Sequence, residues 1–186
     1  MVYLFLANGT EEVEALLPLD LLRRGGVEVT TLAVGGADAV VGSHGIRLGA
    51  DLPEALFRDS SPEAVILPGG MPGTLNLDAS KTVDAALRAC QKAGGLLCAI
   101  CAAPLVLGRR GYLAGKQAVC FPGFEKELAG ATVAKARVVR DGNIITAVGM
   151  GAAMEFGLEI LAALRGKEAA KTVQKAILAD HLPYEF

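Results

Sequence analysis

The residue with the clearest chemical potential is the thiol of Cys101. It follows the apolar run Leu-Leu-Cys-Ala-Ile at 96–100 and precedes a segment from Ala102 that has Pro104 in its first turn. The run reads as a strand buried on both faces, and the segment reads as a helix. Cys101 is therefore predicted at a strand-to-helix turn, the setting of a nucleophile elbow, with small neighbours in Ala99, Ala102 and Ala103. The unpaired N–H groups and positive dipole end of such a helix favour a thiolate. The plainer alternative is a buried structural cysteine. Cys98 and Cys101 also form a C-x-x-C, but a redox pair sits at the helix start, whereas position 98 falls inside the strand.

Two further features could serve a nucleophile. Glu14 lies in the first turns of a helix that follows the first strand, which would put its carboxyl above the carboxyl ends of the sheet. A solvated helix acid is the alternative there. Gly69-Gly70 follows a buried strand at 64–67, and a Gly-Gly turn lets backbone N–H groups point into the crevice. The loop lacks the Lys and Ser/Thr of a phosphate loop and suits half of an oxyanion hole better. One cysteine, one carboxyl group and backbone donors make a candidate nucleophile site. The two histidines, His44 and His181, are far apart without ligand spacing, so no metal is expected.

The elements that must position these groups alternate along the chain. A strand at 2–7 leads to a helix capped by Thr10 and running to about Arg24, with Pro18 inside it and Val13, Leu16, Leu17 and Leu21 as its apolar stripe. A strand at 27–34 is followed by a hairpin at 39–48, a short helical segment at 52–58 and the strand at 64–67. Ser80 caps a helix to about Ala93. After the elbow come a strand at 116–120, a short helix at 124–128 and a hairpin of 132–139 with 143–148 across Asp141-Gly142. Helices at 152–164 and 167–179 complete the chain. Alternating strands and helices, with several strands apolar throughout, predict an α/β fold: a doubly wound, mostly parallel sheet with helices on both faces and a small peripheral hairpin.

With 186 residues the chain suits a single domain over 1–186 with a full core. A net charge of -2 offers nothing to attract nucleic acid or an anionic membrane. The apolar start lacks a basic leader, and no apolar run reaches the roughly 18 residues of a membrane span. The expectation is a cytoplasmic protein whose four cysteines form no disulfide framework.

Four stretches carry a resemblance: A-N-G-T-E-E-V-E at 7–14, L-P-G-G-M-P-G at 67–73, A-I-C-A-A-P at 99–104 and G-K-E-A-A at 166–170. In collinear order, over nearly the whole chain, the sequence resembles the ThiJ/PfpI superfamily and, within it, the DJ-one branch. The resemblance implies a flavodoxin-like sandwich and a homodimer. It implies that Cys101 is the reactive cysteine and Glu14 the acid that hydrogen-bonds it, protonated and donating to the sulfur. The amides of Gly70 and Ala102 match the family's oxyanion donors. Phe121 stands where several members carry a histidine, so a Cys-His dyad has no evident base. His44 falls where some relatives carry an arginine near the dimer interface, which makes it either a cross-subunit residue or a plain surface histidine.

The function implied is cofactor-free, cysteine-dependent chemistry on reactive carbonyls, glyoxalase or deglycase in type, acting on a small aldehyde or glycated substrate. The alternative is a redox sensor or oxidative-stress chaperone working through oxidation of Cys101. Peptidase and isonitrile hydratase readings rank below both.

Overall fold

The computed structural model describes residues 1–35, 38–58 and 61–180. In chain order the first half contains β1 (Val2–Leu6), α1 (Glu12–Arg24), β2 (Val29–Ala33), β3 (Ala39–Val41), β4 (Arg47–Gly49), β5 (Leu52–Pro53), β6 (Ala64–Leu67), α2 (Gly73–Ala79) and α3 (Lys81–Lys92). The second half contains β7 (Leu96–Ile100), α4 (Pro104–Arg109), β8 (Gln117–Ala118), β9 (Thr132–Val133), β10 (Val138–Asp141), β11 (Ile144–Ala147), α5 (Ala153–Arg165) and α6 (Lys167–Ala176). The main sheet has the order β10-β11-β7-β6-β1-β2-β5, parallel except for β10, which pairs antiparallel with β11. β3 and β4 form a separate hairpin.

β1, β6 and β7 are apolar throughout because successive side chains point to opposite faces and both faces are covered. Leu4, Leu6, Ile66, Cys98 and Ile100 pack with Leu21 of α1 and Phe156 of α5. Phe5, Val65, Leu67, Leu97 and Ala99 face the other way, onto Val83 and Leu87 of α3. α1 and α5 meet closely at Gly157, where a Cβ would lie 2.8 Å from Leu21 Cδ1 and 2.9 Å from Pro18 Cα. The chain moves outward from β1 to β2, then crosses to β6, β7 and β11 on the other side of β1. That reversal opens a crevice at the carboxyl ends of β1 and β6, where ligands of open α/β sheets bind. The fold is the α/β, mostly parallel, flavodoxin-like sandwich that was expected.

Local expectations fail where a tertiary contact takes over. Thr10 does not cap α1: its hydroxyl accepts from the Ala7 N–H at 3.0 Å, while the Glu11 carboxylate caps the helix by accepting from the Glu14 N–H at 2.7 Å. The apolar stripe of α1 is also rotated. Ala15, Pro18, Leu21 and Leu22 are buried together with Glu12 and Glu14, while Val13 and Leu16 are exposed.

The segment 52–58 is not helical at its start. Asp51 accepts from the Thr31 N–H and hydroxyl at 2.8 and 2.9 Å, while its own N–H donates to that hydroxyl. These bonds hold β5 extended beside β2, and only Glu54–Leu56 makes a 3-10 turn. The strand expected at 132–139 is split, its first part pairing with β8 and its second with β11. α2 follows the Gly69-Gly70 turn in a stretch, 74–79, for which the sequence reading named no element, and Ser80 caps α3 as expected, accepting from the Val83 N–H at 3.2 Å. His181 lies outside the described residues. No described helix is long and apolar enough to cross a membrane.

Candidate active site

Cys101 is the first residue beyond β7 and has φ of 64°, left-handed backbone that a non-glycine residue adopts at a cost of roughly 1–2 kcal/mol. Neighbouring strands and loops hold it there. Its N–H donates to the Ala147 carbonyl at 2.9 Å, and its own carbonyl accepts from the Phe121 N–H at 2.8 Å. The turn closes with the Ala103 N–H donating to the Ile100 carbonyl at 3.0 Å. α4 begins only at Pro104, so residues 101–103 are the elbow and not the first helical turn. The thiol points into the crevice, where the amides of Gly70 and Ala102 donate to its sulfur. Cys98, by contrast, is fully buried within β7 and packs in the core, so the C-x-x-C is not a paired redox site.

Glu14 comes up from α1 beside the thiol and is only 1% exposed. Its Oε2 accepts from the Gly69 N–H at 2.9 Å, and its carboxyl also accepts from the Met150 amide and bonds to Cys101. Gly69 must be glycine for this contact, because a Cβ would lie 2.6 Å from both Cys101 Cβ and Glu14 Oε2. Gly70 has φ of +89°, and a Cβ there would meet Glu11 N and Gly9 O at 2.4 Å. The Glu11 N–H donates to the Gly69 carbonyl at 2.9 Å and ties the end of β1 to the end of β6.

The electrostatics couple the thiol to the carboxyl beside it. Burial pushes the Cys101 thiol up to about 12, helped by the negative charge and hydrogen bond of Glu14, and the Gly70 and Ala102 amides only partly offset this. Burial also pushes the Glu14 carboxyl up to about 7, against the hydrogen bond to Cys101, with the charge of Glu11 adding to the rise. The two groups titrate as a unit: above pH of about 7 they share one proton between sulfur and carboxylate.

His44 lies at the hairpin tip and turns toward Glu12, not toward the thiol. Its N–H donates to Glu12 Oε1 and its Nδ1 lies beside Oε2, both at 2.8 Å. Burial works to raise the Glu12 carboxyl, but the His44 side-chain and backbone hydrogen bonds outweigh it and bring Glu12 down to about 2. The same contacts raise His44. Glu11, Glu12 and His44 offer three possible ligand atoms within 4.8 Å of one another, yet the Glu12 oxygens and the His44 Nδ1 already bond to each other.

Sequence reasoning singled out Cys101, Glu14, Gly70 and Ala102, and the fold brings all four together. It gave the Gly69-Gly70 turn as a source of N–H donors but not Glu14 as the acceptor of the Gly69 N–H, and it missed the Met150 N–H on Glu14 and the Phe121 N–H on Cys101. The available signal was Gly149-Met150-Gly151 directly after a buried strand, a second glycine turn at the same end of the sheet.

Comparison with known proteins places this arrangement among relatives. A family model described as the DJ-1/PfpI family matches residues 1–163. Protein dj-1beta of Drosophila melanogaster is 38% identical over 178 residues, covering 95% of each chain. A Caenorhabditis elegans protein named glutathione-independent glyoxalase DJR-1.2 is 31% identical over 168 residues, covering 90% of this chain and 89% of its own. The solved structure of oxidized DJ-1 from Toxoplasma gondii superposes with a TM-score of 0.92 at 33% identity, covering 97% of this chain and 98% of that one. Since the matched residues include every strand of the main sheet and all the groups around Cys101, the chain belongs to the DJ-1/PfpI family.

Proposed function

We propose that this protein carries out cofactor-free chemistry on reactive carbonyls, glyoxalase or deglycase in type, with Cys101 as nucleophile and Glu14 as proton carrier. The observation that supports it most is a part-exposed thiol bonded to a buried carboxyl near pKa 7, with two amides aimed at the sulfur. Similarity to a protein named as a glutathione-independent glyoxalase supports the same reading.

On methylglyoxal, the Glu14 carboxylate takes the thiol proton as sulfur bonds to the aldehyde carbon. The carbonyl electron pair moves to oxygen, where the Gly70 and Ala102 N–H groups hold it, and a proton from Glu14 completes the hemithioacetal. Glu14 then removes the hydrogen of that carbon as a proton, the electron pair forming a carbon–carbon double bond as the ketone oxygen becomes an enediolate, and returns it to the neighbouring carbon while the hydroxyl proton passes to the enediolate oxygen. The former aldehyde carbon is oxidised to a thioester while the adjacent ketone is reduced to an alcohol, so no outside oxidant is consumed. Water hydrolyses the thioester, releasing lactate and the free thiol. In a coupled assay wild type should form lactate from methylglyoxal and Cys101→Ser none; equal rates would sink the reading.

One observation also favours a second reading, a redox sensor: the donors around the sulfur would hold the oxygens of a sulfinate. Mild peroxide would then add two oxygens to Cys101 alone, and a protein that makes no lactate but gains this mass would be the sensor.

Members of this family are commonly dimeric. The exposed Val13 and Leu16 of α1 and Ile46 of the hairpin loop border an open apolar cavity of about 380 Å³, and this is the face proposed for a second copy, with His44 at its edge as a cross-subunit residue. Leu16→Lys should weaken self-association about 100-fold or more in sedimentation. An unchanged association constant would remove this face from consideration.

A further inference from the structure

The residues whose backbone groups bond to the Cys101 sulfur, N–H and carbonyl and to the Glu14 carboxyl are Gly69, Gly70, Ala102, Ala147, Met150 and Phe121, while the Glu11 carboxylate is engaged in capping the Glu14 N–H. None of those six carries a polar side chain. His44, the described histidine, is turned to Glu12. Among the described residues, recognition of the uncharged part of a substrate therefore falls to backbone amides and apolar surface.

Three exposed apolar side chains belong to residues that adjoin the site. Phe121 is 49% exposed and Met150 53%, and each bonds to the reacting pair through its own N–H. Met71, 46% exposed, follows the Gly70 amide that donates to the sulfur. Large apolar side chains held in water beside reacting groups mark a place where an apolar group of a ligand docks. Gly149 reinforces this: a Cβ there would lie 3.3 Å from Phe121 Cδ2 and 3.9 Å from Glu14 Oε1. The ring edge and the carboxyl thus stand on either side of one missing methyl group.

We propose that Phe121, with Met71 and Met150, forms a specificity wall that selects electrophiles carrying an aromatic or branched aliphatic substituent beside the reacting carbon. Resting on the function proposed above, its substrates are aryl and bulky alkyl α-oxoaldehydes in preference to methylglyoxal. A phenyl group buries several times the apolar area of a methyl, and on a half-open wall that is worth about 10-fold or more in kcat/KM. Phe121 acts by its side chain here, and its N–H bond to Cys101 survives substitution.

Two measurements test the wall. The first compares kcat/KM for phenylglyoxal, giving mandelate, and for methylglyoxal in wild type, Phe121→Ala and Phe121→Leu. The wild-type ratio should be about 10 or more, fall toward 1 in Phe121→Ala and stay intermediate in Phe121→Leu. The second needs no turnover: alkylation of Cys101 by phenacyl bromide and by bromoacetone, each rate divided by that of glutathione. Wild type should favour the aromatic reagent and Phe121→Ala should lose that preference. A wild-type preference equal to that of glutathione, or one unchanged in Phe121→Ala, overturns the wall. Selective alkylation without turnover of either aldehyde upholds the wall and overturns the carbonyl reading instead.

Discussion

Glu14→Gln should lower carbonyl turnover and Cys101 alkylation at pH 8 by about 10²- to 10⁴-fold, the range expected when a positioned acid–base group is removed. Burial raises both the thiol and the carboxyl, and the two are hydrogen-bonded to each other, so in the proposed mechanism the reactive thiolate forms by proton transfer to Glu14. Wild-type reactivity should accordingly rise as pH passes through about 7 and then level off, and the glutamine variant should lack that step.

The same substitution has a stability signature of defined sign. The Glu14 carboxyl is raised above its ordinary 4.5, so its contribution to stability is fully present below pH 4.5 and is lost as pH rises through about 7. Urea unfolding should show the wild type losing about 3 kcal/mol relative to Glu14→Gln between pH 4.5 and pH 8. Iodoacetamide kinetics across that range decide the matter: an unshifted profile in the variant would remove Glu14 from the proton path.

Gly69→Ala should be the most damaging single methyl group that can be added near the site. The new Cβ would lie 2.6 Å from Cys101 Cβ and Glu14 Oε2 and 2.9 Å from the Ile100 carbonyl, and two of these three atoms belong to the reacting residues. Overpacking of this kind costs about 3 kcal/mol, and displacing the pair by about 1 Å costs about 100-fold in reactivity. Gly94→Ala is the control, since it has φ of +76° with nothing within 4 Å. It meets only left-handed backbone strain of roughly 1–2 kcal/mol and should leave Cys101 untouched. Matching unfolding midpoints and alkylation rates for the two variants would mean that the close approach at Gly69 does not constrain the site.

How far these residues were legible in sequence depends on the range of the interactions that set them. The elbow was readable because it is local: an apolar strand, a cysteine, small neighbours and a proline three residues on lie within nine consecutive positions. The sheet was readable for a related reason, since a strand covered on both faces must be apolar at every position, as β1, β6 and β7 are. The orientation of α1 was not readable. An apolar stripe through Val13 and Leu16 is the natural choice when carboxylates are assumed to face water, yet Glu12 and Glu14 are buried because His44 and the Gly69 and Met150 amides, from distant elements, satisfy them. The cap on Glu11 and the extended course of β5 depended in the same way on tertiary partners.

The protonation state separates the two levels most clearly. A cysteine at a helix start argues for a low pKa when only its own chain segment is considered. In the folded chain Glu14 and Cys101 are buried against each other, and burial with like charge outweighs two amide donors. The amino-acid sequence by itself indicated the alternation of strands and helices, the elbow and its thiol, and through the family resemblance the acid proposed to partner it. Only the tertiary structure decided the order of the strands in the sheet and the burial of Glu14 against Cys101, which raises both groups, because desolvation exists only once distant segments have packed.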